Sequence, residues 1–161
     1  MYMETVEKIL AHPQFWAYLE LNAEAEKDRV YCKHDYQHAL DVARVAYCIV
    51  LERHLSIDKD LLYATALLHD IAKWKQYALG SDHAEEGAVL AGQILSDIGL
   101  DKDTTASILC AIRTHRAKDG EKSLLGEVLY ESDKACRPCI SCKSLKGCKR
   151  FPDGKKPALQ Y

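Results

Sequence analysis

From Thr5 to about Ser132 apolar residues recur at spacings of three and four, and no stretch alternates long enough to propose a strand. The pattern predicts an all-α bundle of about six helices. The first region, Val6 to about Lys27, is interrupted or restarted at Pro13 and offers Phe15, Trp16 and Leu19 for packing. The second, about Asp35 to His54, sets His38, Val42, Val45, Ala46 and Ile49 on one side. A third begins at Asp58 and carries Leu61, Leu62, Leu67 and Leu68 towards His69-Asp70-Ile71.

Gly80-Ser81-Asp82 then combines a breaker with a good N-cap, and Asp82 with Glu85 has the spacing of a capping box. That places His83 in the first turn of a fourth helix running to about Ile98, with Gly99 as its stop signal. The fifth, about Asp103 to Ala117, aligns Ile108, Ala111, Ile112 and His115. The sixth, about Ser123 to Cys136, aligns Leu125, Val128, Leu129 and Ser132 beside Asp133. Adjacent residues cannot share a helical face, so His69 and Asp70 must sit at a helix end or local distortion to turn inward together. Residues Ile71 to Lys75 are the candidate irregularity.

Charge divides the 161 residues unevenly. The formal net charge is only -2, which gives no overall basic field to attract nucleic acid or an anionic membrane. Residues Lys134 to Tyr161, however, hold eight Lys/Arg against the single acid Asp153, so an acidic body carries a basic tail. The division expected is a helical metal-binding domain over 1–135 and a short irregular tail over 136–161. No apolar run approaches the ~18 residues of a membrane span, and MYMETVEKIL lacks a signal-peptide layout. A cytoplasmic, thiol-reducing location is expected, and an odd total of seven cysteines argues against a complete disulfide framework. Cys32, Cys48 and Cys110 read as core positions.

The histidines change the picture most. His12, before Pro13, and His54, in a charged helix end, read as solvent-facing. His34, His38, His69, His83 and His115 each stand at a helix end or on its apolar face. One such histidine is ordinarily a satisfied core residue. Five of them together with Asp70 and Asp133 are costly to bury without partners, and a shared cation removes that cost.

The order of these residues resembles the HD superfamily of metal-dependent phosphohydrolases. HALDVARVA, LLHDIAKW, SDHAEEGAVLAGQIL, AIRTHRA and LYESDKACRP follow one another as in that family, over about Tyr31 to Pro138. His83 and His115 are similar to the additional histidines of members that bind two metals, such as the bacterial diadenosine-tetraphosphate hydrolases. The resemblance implies that His38, His69, Asp70 and Asp133 hold one ion. It implies that His83 and His115 hold a second, with Asp70 bridging. KHDYQH looks more like the HD nucleotide pyrophosphohydrolases, in which HDxxH opens the same helix. The chain also resembles small Firmicutes HD proteins with a cysteine-rich tail.

The implied activity is hydrolysis of a nucleotide, a dinucleotide polyphosphate or a related phosphoester. A dication neutralises phosphate oxygens and can lower the pKa of bound water from 15.7 to about 7. Mixed His/Asp donors suit Mn, Fe, Co, Zn or Mg without choosing among them. Lys73, four residues after His69, reads equally as a contact to phosphate or attacking water and as a solvated helix-end lysine. His34, one turn before His38, reads as a phosphate contact or a support to the ligands, and Arg116 as a weaker phosphate clamp. Two other readings remain open: a di-iron oxygenase built on the same ligands, and a non-catalytic metal or redox sensor.

Cys136, Cys139, Cys142 and Cys148 spell C-x₂-C-x₂-C-x₅-C, a spacing that suggests zinc or an iron–sulfur cluster before disulfides. In the Firmicutes relatives the last three recur, which makes Cys136 the least secure of the four. Beginning three residues after Asp133, the tail would bring Lys134, Arg137, Lys143, Lys146, Lys149 and Arg150 to the mouth of the metal site. A phosphorylated small molecule is the expected partner. Phe151 is the only aromatic interleaved with these charges, which argues against a single-strand nucleic-acid platform.

Overall fold

A computed structural model describes residues 2–116, 120–152 and 155–161. Among the described residues it contains eight α-helices and no strand. They are α1 (Glu4–Ala11), α2 (Pro13–Ala25), α3 (Tyr36–Glu52), α4 (Lys59–Leu68), α5 (Lys73–Leu79), α6 (His83–Asp97), α7 (Lys102–Thr114) and α8 (Leu124–Ala135). The six predicted segments become eight because the first restarts at Pro13 and the third breaks after Leu68. The predicted end of the fifth, Ala117, lies outside the described residues.

Most boundaries follow from local chemistry. Asp35, Asp58, Asp101 and Ser123 each accept a backbone N–H of the following helix, from His38, Leu61, Thr104 and Gly126 respectively. Each such cap contributes about 1 kcal/mol. Asp82 caps α6 through the N–H of Ala84, the second helical residue, so the reciprocal geometry of a capping box is replaced by a single bond. Gly80 closes α5 in the left-handed conformation, φ 68°, where a side chain would be strained.

Helix α4 is the centre of the bundle. It packs against α1, α3, α7 and α8, and Leu62, Ala64, Thr65, Ala66, Leu67 and Leu68 are buried. One apolar cluster lies on its α1/α2/α6/α7 side, built on Ile9, Phe15, Leu68, Ile94 and Ile112. A second lies on its α3/α8 side, built on Val42, Ala46, Ile49, Leu62 and Val128. The C-terminal end of α4 therefore points His69 and Asp70 into the interior between the two clusters.

Helix α1 is fastened to α4 from outside its own sequence. Asp60, in the first turn of α4, accepts the N–H groups of Thr5 (2.8 Å) and Val6 (2.9 Å), two donors that the start of a helix leaves unpaired. Asp60→Ala is expected to cost about 1–2 kcal/mol, read as a lower urea midpoint with unchanged slope.

Several expectations are corrected. His12 is not simply solvent-facing: its side chain is 14% exposed, its Nε2 is 3.3 Å from Asp97, and its Nδ1 accepts the N–H of Gln14 at the start of α2. Cys48 and Cys110 are exposed, on the outer faces of α3 and α7, and Cys32 is half-buried in the α2–α3 loop rather than in the core. Trp16 is 41% exposed, while its neighbour Phe15 is fully buried. No helix among the described residues is long and apolar enough to cross a membrane.

Candidate metal centre

The His-Asp pair turns inward because the helix stops there. Beyond Leu68 the backbone tightens, with Ile71 N–H bonding to Leu68 O and Lys73 N–H to Asp70 O. In a continuous helix the N–H of Trp74 would also bond to Asp70 O. Instead the buried amide of Asn22, from α2, occupies the gap. Its Oδ1 accepts the Trp74 N–H (2.8 Å) and its Nδ2 donates to Asp70 O (2.9 Å). Asn22 thus splints the break between α4 and α5 that lets two consecutive residues face one point. On the opposite side Gly87 of α6 approaches closely, since a Cβ there would lie 3.4 Å from His69 O.

Around that turn the six predicted donors converge. Asp70 Oδ2 lies 2.8 Å from His69 Nε2 and 3.6 Å from His38 Nε2, while Asp133 Oδ1 lies 3.1 Å from His38 Nε2. The other Asp70 oxygen, Oδ1, lies 3.2 Å from His83 Nε2 and 3.6 Å from His115 Nε2. Donor atoms of His38, His69, Asp70 and Asp133 fall within 4.8 Å of one another, as do those of Asp70, His83 and His115. Each set could hold one metal ion, with Asp70 common to both.

The far ring nitrogens are anchored. Nδ1–H of His69 donates to Ala66 O (2.7 Å) and that of His115 to Ile112 O (2.5 Å), each one turn back along its own helix. His83 donates through Nδ1 to Gln76 Oε1 (2.7 Å), and Nδ1 of His38 is 3.7 Å from Cys136 Sγ. Fixing Nδ1 aims Nε2 at the centre and sets the tautomer a ligand needs.

Electrostatics in this cluster are strongly coupled. Burial disfavours the charge on His38, yet hydrogen bonds with Asp133, Asp70 and Cys136 push it up to about 11. His69 is likewise raised to about 9, against its complete burial, by Asp70 and Asp133. Burial also opposes the charge on Asp70, but His69 and hydrogen bonds from His115 and His38 hold it well below the usual carboxylate range. Desolvation outweighs Asp70 at His83 and pulls that imidazole down. His69 Nε2 is a buried polar atom with no hydrogen-bond partner of acceptable geometry. A divalent cation fits it, because imidazole nitrogen and carboxylate oxygen are donors that first-row dications take together.

A cavity of about 180 Å³ opens onto these donors and is walled by cationic side chains, Lys73, Arg116 and Lys134, as well as by His34. Lys73 Nζ is 3.4 Å from His83 Nδ1, and burial holds its amine below the usual lysine range. Arg116 is exposed and sits 3.4 Å from Asp82. His34 is buried and rests on Glu26, which bonds to its backbone N–H (2.8 Å) and its Nδ1 and also accepts from Tyr77 Oη (2.8 Å). Burial pulls His34 below the usual histidine value, although Glu26 opposes this.

Two contributors, Asn22 and Glu26, were not singled out by sequence reasoning; they stand four apart, on α2 and at its C-terminal end. Arg137, expected at the mouth of the site, reaches inside, with Nη2 3.0 Å from His38 Nε2 and 3.4 Å from Asp133 Oδ1. The tail cysteines do not join the centre, although Cys136 touches His38. Among the described residues no set of three mutually close donors contains a cysteine.

An all-α bundle with a paired His/Asp centre at a helix break defines a class of metal-binding proteins. Comparison places the chain within it: the HD domain family model matches residues 35–137, and the chain belongs to that family. A protein of Clostridium beijerinckii, described only as uncharacterized, is 38% identical over 159 residues, covering 99% of this chain and 100% of that one. A crystal structure from an uncultured Thermotogales bacterium, described as a predicted HD superfamily hydrolase, is similar with a TM-score of 0.58 and 33% identity. It covers 76% of this chain and 68% of that one.

Proposed function

We propose that the protein is a two-metal phosphohydrolase acting on a nucleotide, a dinucleotide polyphosphate or a related phosphoester. The observation that carries this reading is the division of Asp70, whose two oxygens face separate nitrogen sets, His38 and His69 on one side and His83 and His115 on the other. Two bound dications would supply Lewis acidity at the phosphoryl oxygens and an acidified water. The cysteine-free composition of both donor sets favours hard or borderline ions (Mn, Fe, Co, Zn, Mg) over soft ones.

The surrounding residues have separable roles. Lys73, with Arg116 and Lys134 across the cavity, attracts and orients the anionic phosphate chain. His34, pulled below the usual histidine value by burial and held through Nδ1 by Glu26, would present Nε2 as an acceptor for the proton of an attacking water. The basic segment from residue 136 onward is an appended flap to the body over 1–135, and free thiols at all seven cysteines suit a cytoplasmic setting.

Phosphate release measured without oxygen, across nucleotides and dinucleotide polyphosphates, tests the reading. Turnover with redox-inert Mg or Zn is expected. A strict need for oxygen and iron would point instead to di-iron oxygenase chemistry, and no turnover with any metal would leave a sensor. His34→Ala is expected to lower turnover by about a hundredfold while metal content, read by elemental analysis, stays at two per chain.

A further inference from the structure

A cavity of about 790 Å³ lies between the tail and the α2–α3 loop, with His38 and Cys136 also in its wall. Cys32 of that loop lines it together with Cys139, Cys142 and Cys148 of the tail, and all four are half-buried. Tail and loop are tied on either side of Cys32. Ser144 Oγ donates to Val30 O (2.6 Å), Tyr31 Oη donates to Gly147 O (3.1 Å), and Arg137 Nη1 donates to Lys33 O (3.1 Å). A Cβ on Gly147 would meet Tyr31 Oη at 2.7 Å, so a larger residue there would displace the Tyr31 side chain from this contact.

The tail backbone presents its thiols in register. Cys139–Ser141 is a 3-10 turn in which Cys142 N–H donates to Cys139 O (3.2 Å), and residues three apart in such a turn eclipse. Cys139 and Cys142 are thereby set on one side. A second 3-10 turn, Leu145–Gly147, delivers Cys148, whose N–H donates to Leu145 O (3.0 Å). Burial raises the Cys139 thiol, Arg150 opposes this, and the neighbouring thiols of Cys32, Cys142 and Cys148 raise it further.

We propose that Cys32, Cys139, Cys142 and Cys148 ligate a [4Fe–4S] cluster that clamps the tail to the α2–α3 loop beside the metal centre. Cys136 also borders this cavity, but its Sγ is turned to the metal centre, 3.5 Å from Asp133 O and 3.7 Å from His38 Nδ1. Tetrahedral zinc, with Zn–S near 2.3 Å, needs sulfurs about 3.8 Å apart. No three of these sulfurs lie mutually within 4.8 Å, whereas a cube spreads its thiolates more widely. Arg29, Lys33, Lys149 and Arg150 line the same cavity and complement the negative charge of four thiolates.

Acid-labile sulfide tests this separately from the hydrolase reading, because the His/Asp centre contains none. Full-length protein purified without oxygen and reconstituted with iron and sulfide is expected to hold about four sulfides per chain. Cys32→Ser is expected to lower that content at least about tenfold, with helical circular dichroism retained, while Cys136→Ser keeps it. Alkylation of the unmutated protein gives a second reading that does not depend on a folded variant. Cys32 should be protected until iron is chelated, whereas the exposed Cys48 and Cys110 react throughout. Bound zinc without sulfide, loss in Cys136→Ser but not Cys32→Ser, or Cys32 reacting as fast as Cys48 with the cluster intact would each overturn the assignment.

Discussion

Asp70→Asn is expected to reduce phosphate release about a thousandfold, roughly 4 kcal/mol of transition-state stabilisation, and to lower bound metal from two ions per chain to one or none. The substitution keeps the shape of the side chain, so its effect isolates charge. An amide offers one oxygen where the carboxylate offers two, and the lost Oδ1 or Oδ2 interaction leaves two of the four surrounding imidazoles without a shared anionic donor. Losing one metal position also removes one of the two ions that would flank an in-line displacement. Elemental analysis and single-substrate kinetics measure these two quantities, and circular dichroism checks that the fold is retained. An Asp70→Asn variant that still held two ions and full activity would remove the basis for a bridging carboxylate.

Asn22→Ala is expected to destabilise the fold by about 3 kcal/mol. Truncation strips the Trp74 N–H of its acceptor and Asp70 O of its side-chain donor, and the Asn22 side chain that makes both bonds is fully buried. The unpaired Trp74 N–H costs about 1–3 kcal/mol, Asp70 O is left with the Lys73 N–H alone, and a small void adds to that. For a chain of this length the melting temperature should fall by about 10 °C. Activity should fall further than stability alone accounts for, because the turn bearing His69 and Asp70 loses its splint. Thermal melts and metal titration of the folded fraction separate the two effects.

Much of the architecture was readable because local and global signals agree. The starts read at Asp35, Asp58 and Ser123 fall on observed caps, the fifth helix begins slightly before the expected Asp103 because Asp101 caps it, and the apolar stripes of α3, α7 and α8 are buried. The need for His69 and Asp70 to sit at an irregularity followed from helical periodicity alone. What closes that irregularity did not. Asn22 and Glu26 lie on a helix and its end whose polar residues look like a solvated face, and their partners are 48 and 8 residues away. No glycine or proline marks the end of α4, since its cause is a tertiary hydrogen bond. Cys32 had no neighbour in sequence to distinguish it from a core thiol, and only the docking of the tail groups it with Cys139, Cys142 and Cys148.

The splint also bears on where this molecule could be cut. The family match begins at residue 35, and a fragment spanning 35–137 would contain all six proposed metal donors. It would omit Asn22, Glu26 and His34, and with them the side chain that props open the α4–α5 turn. Such a fragment would possess every donor of the centre and nothing to hold two of them in place, so the N-terminal helices belong to the working unit as fully as the signature does.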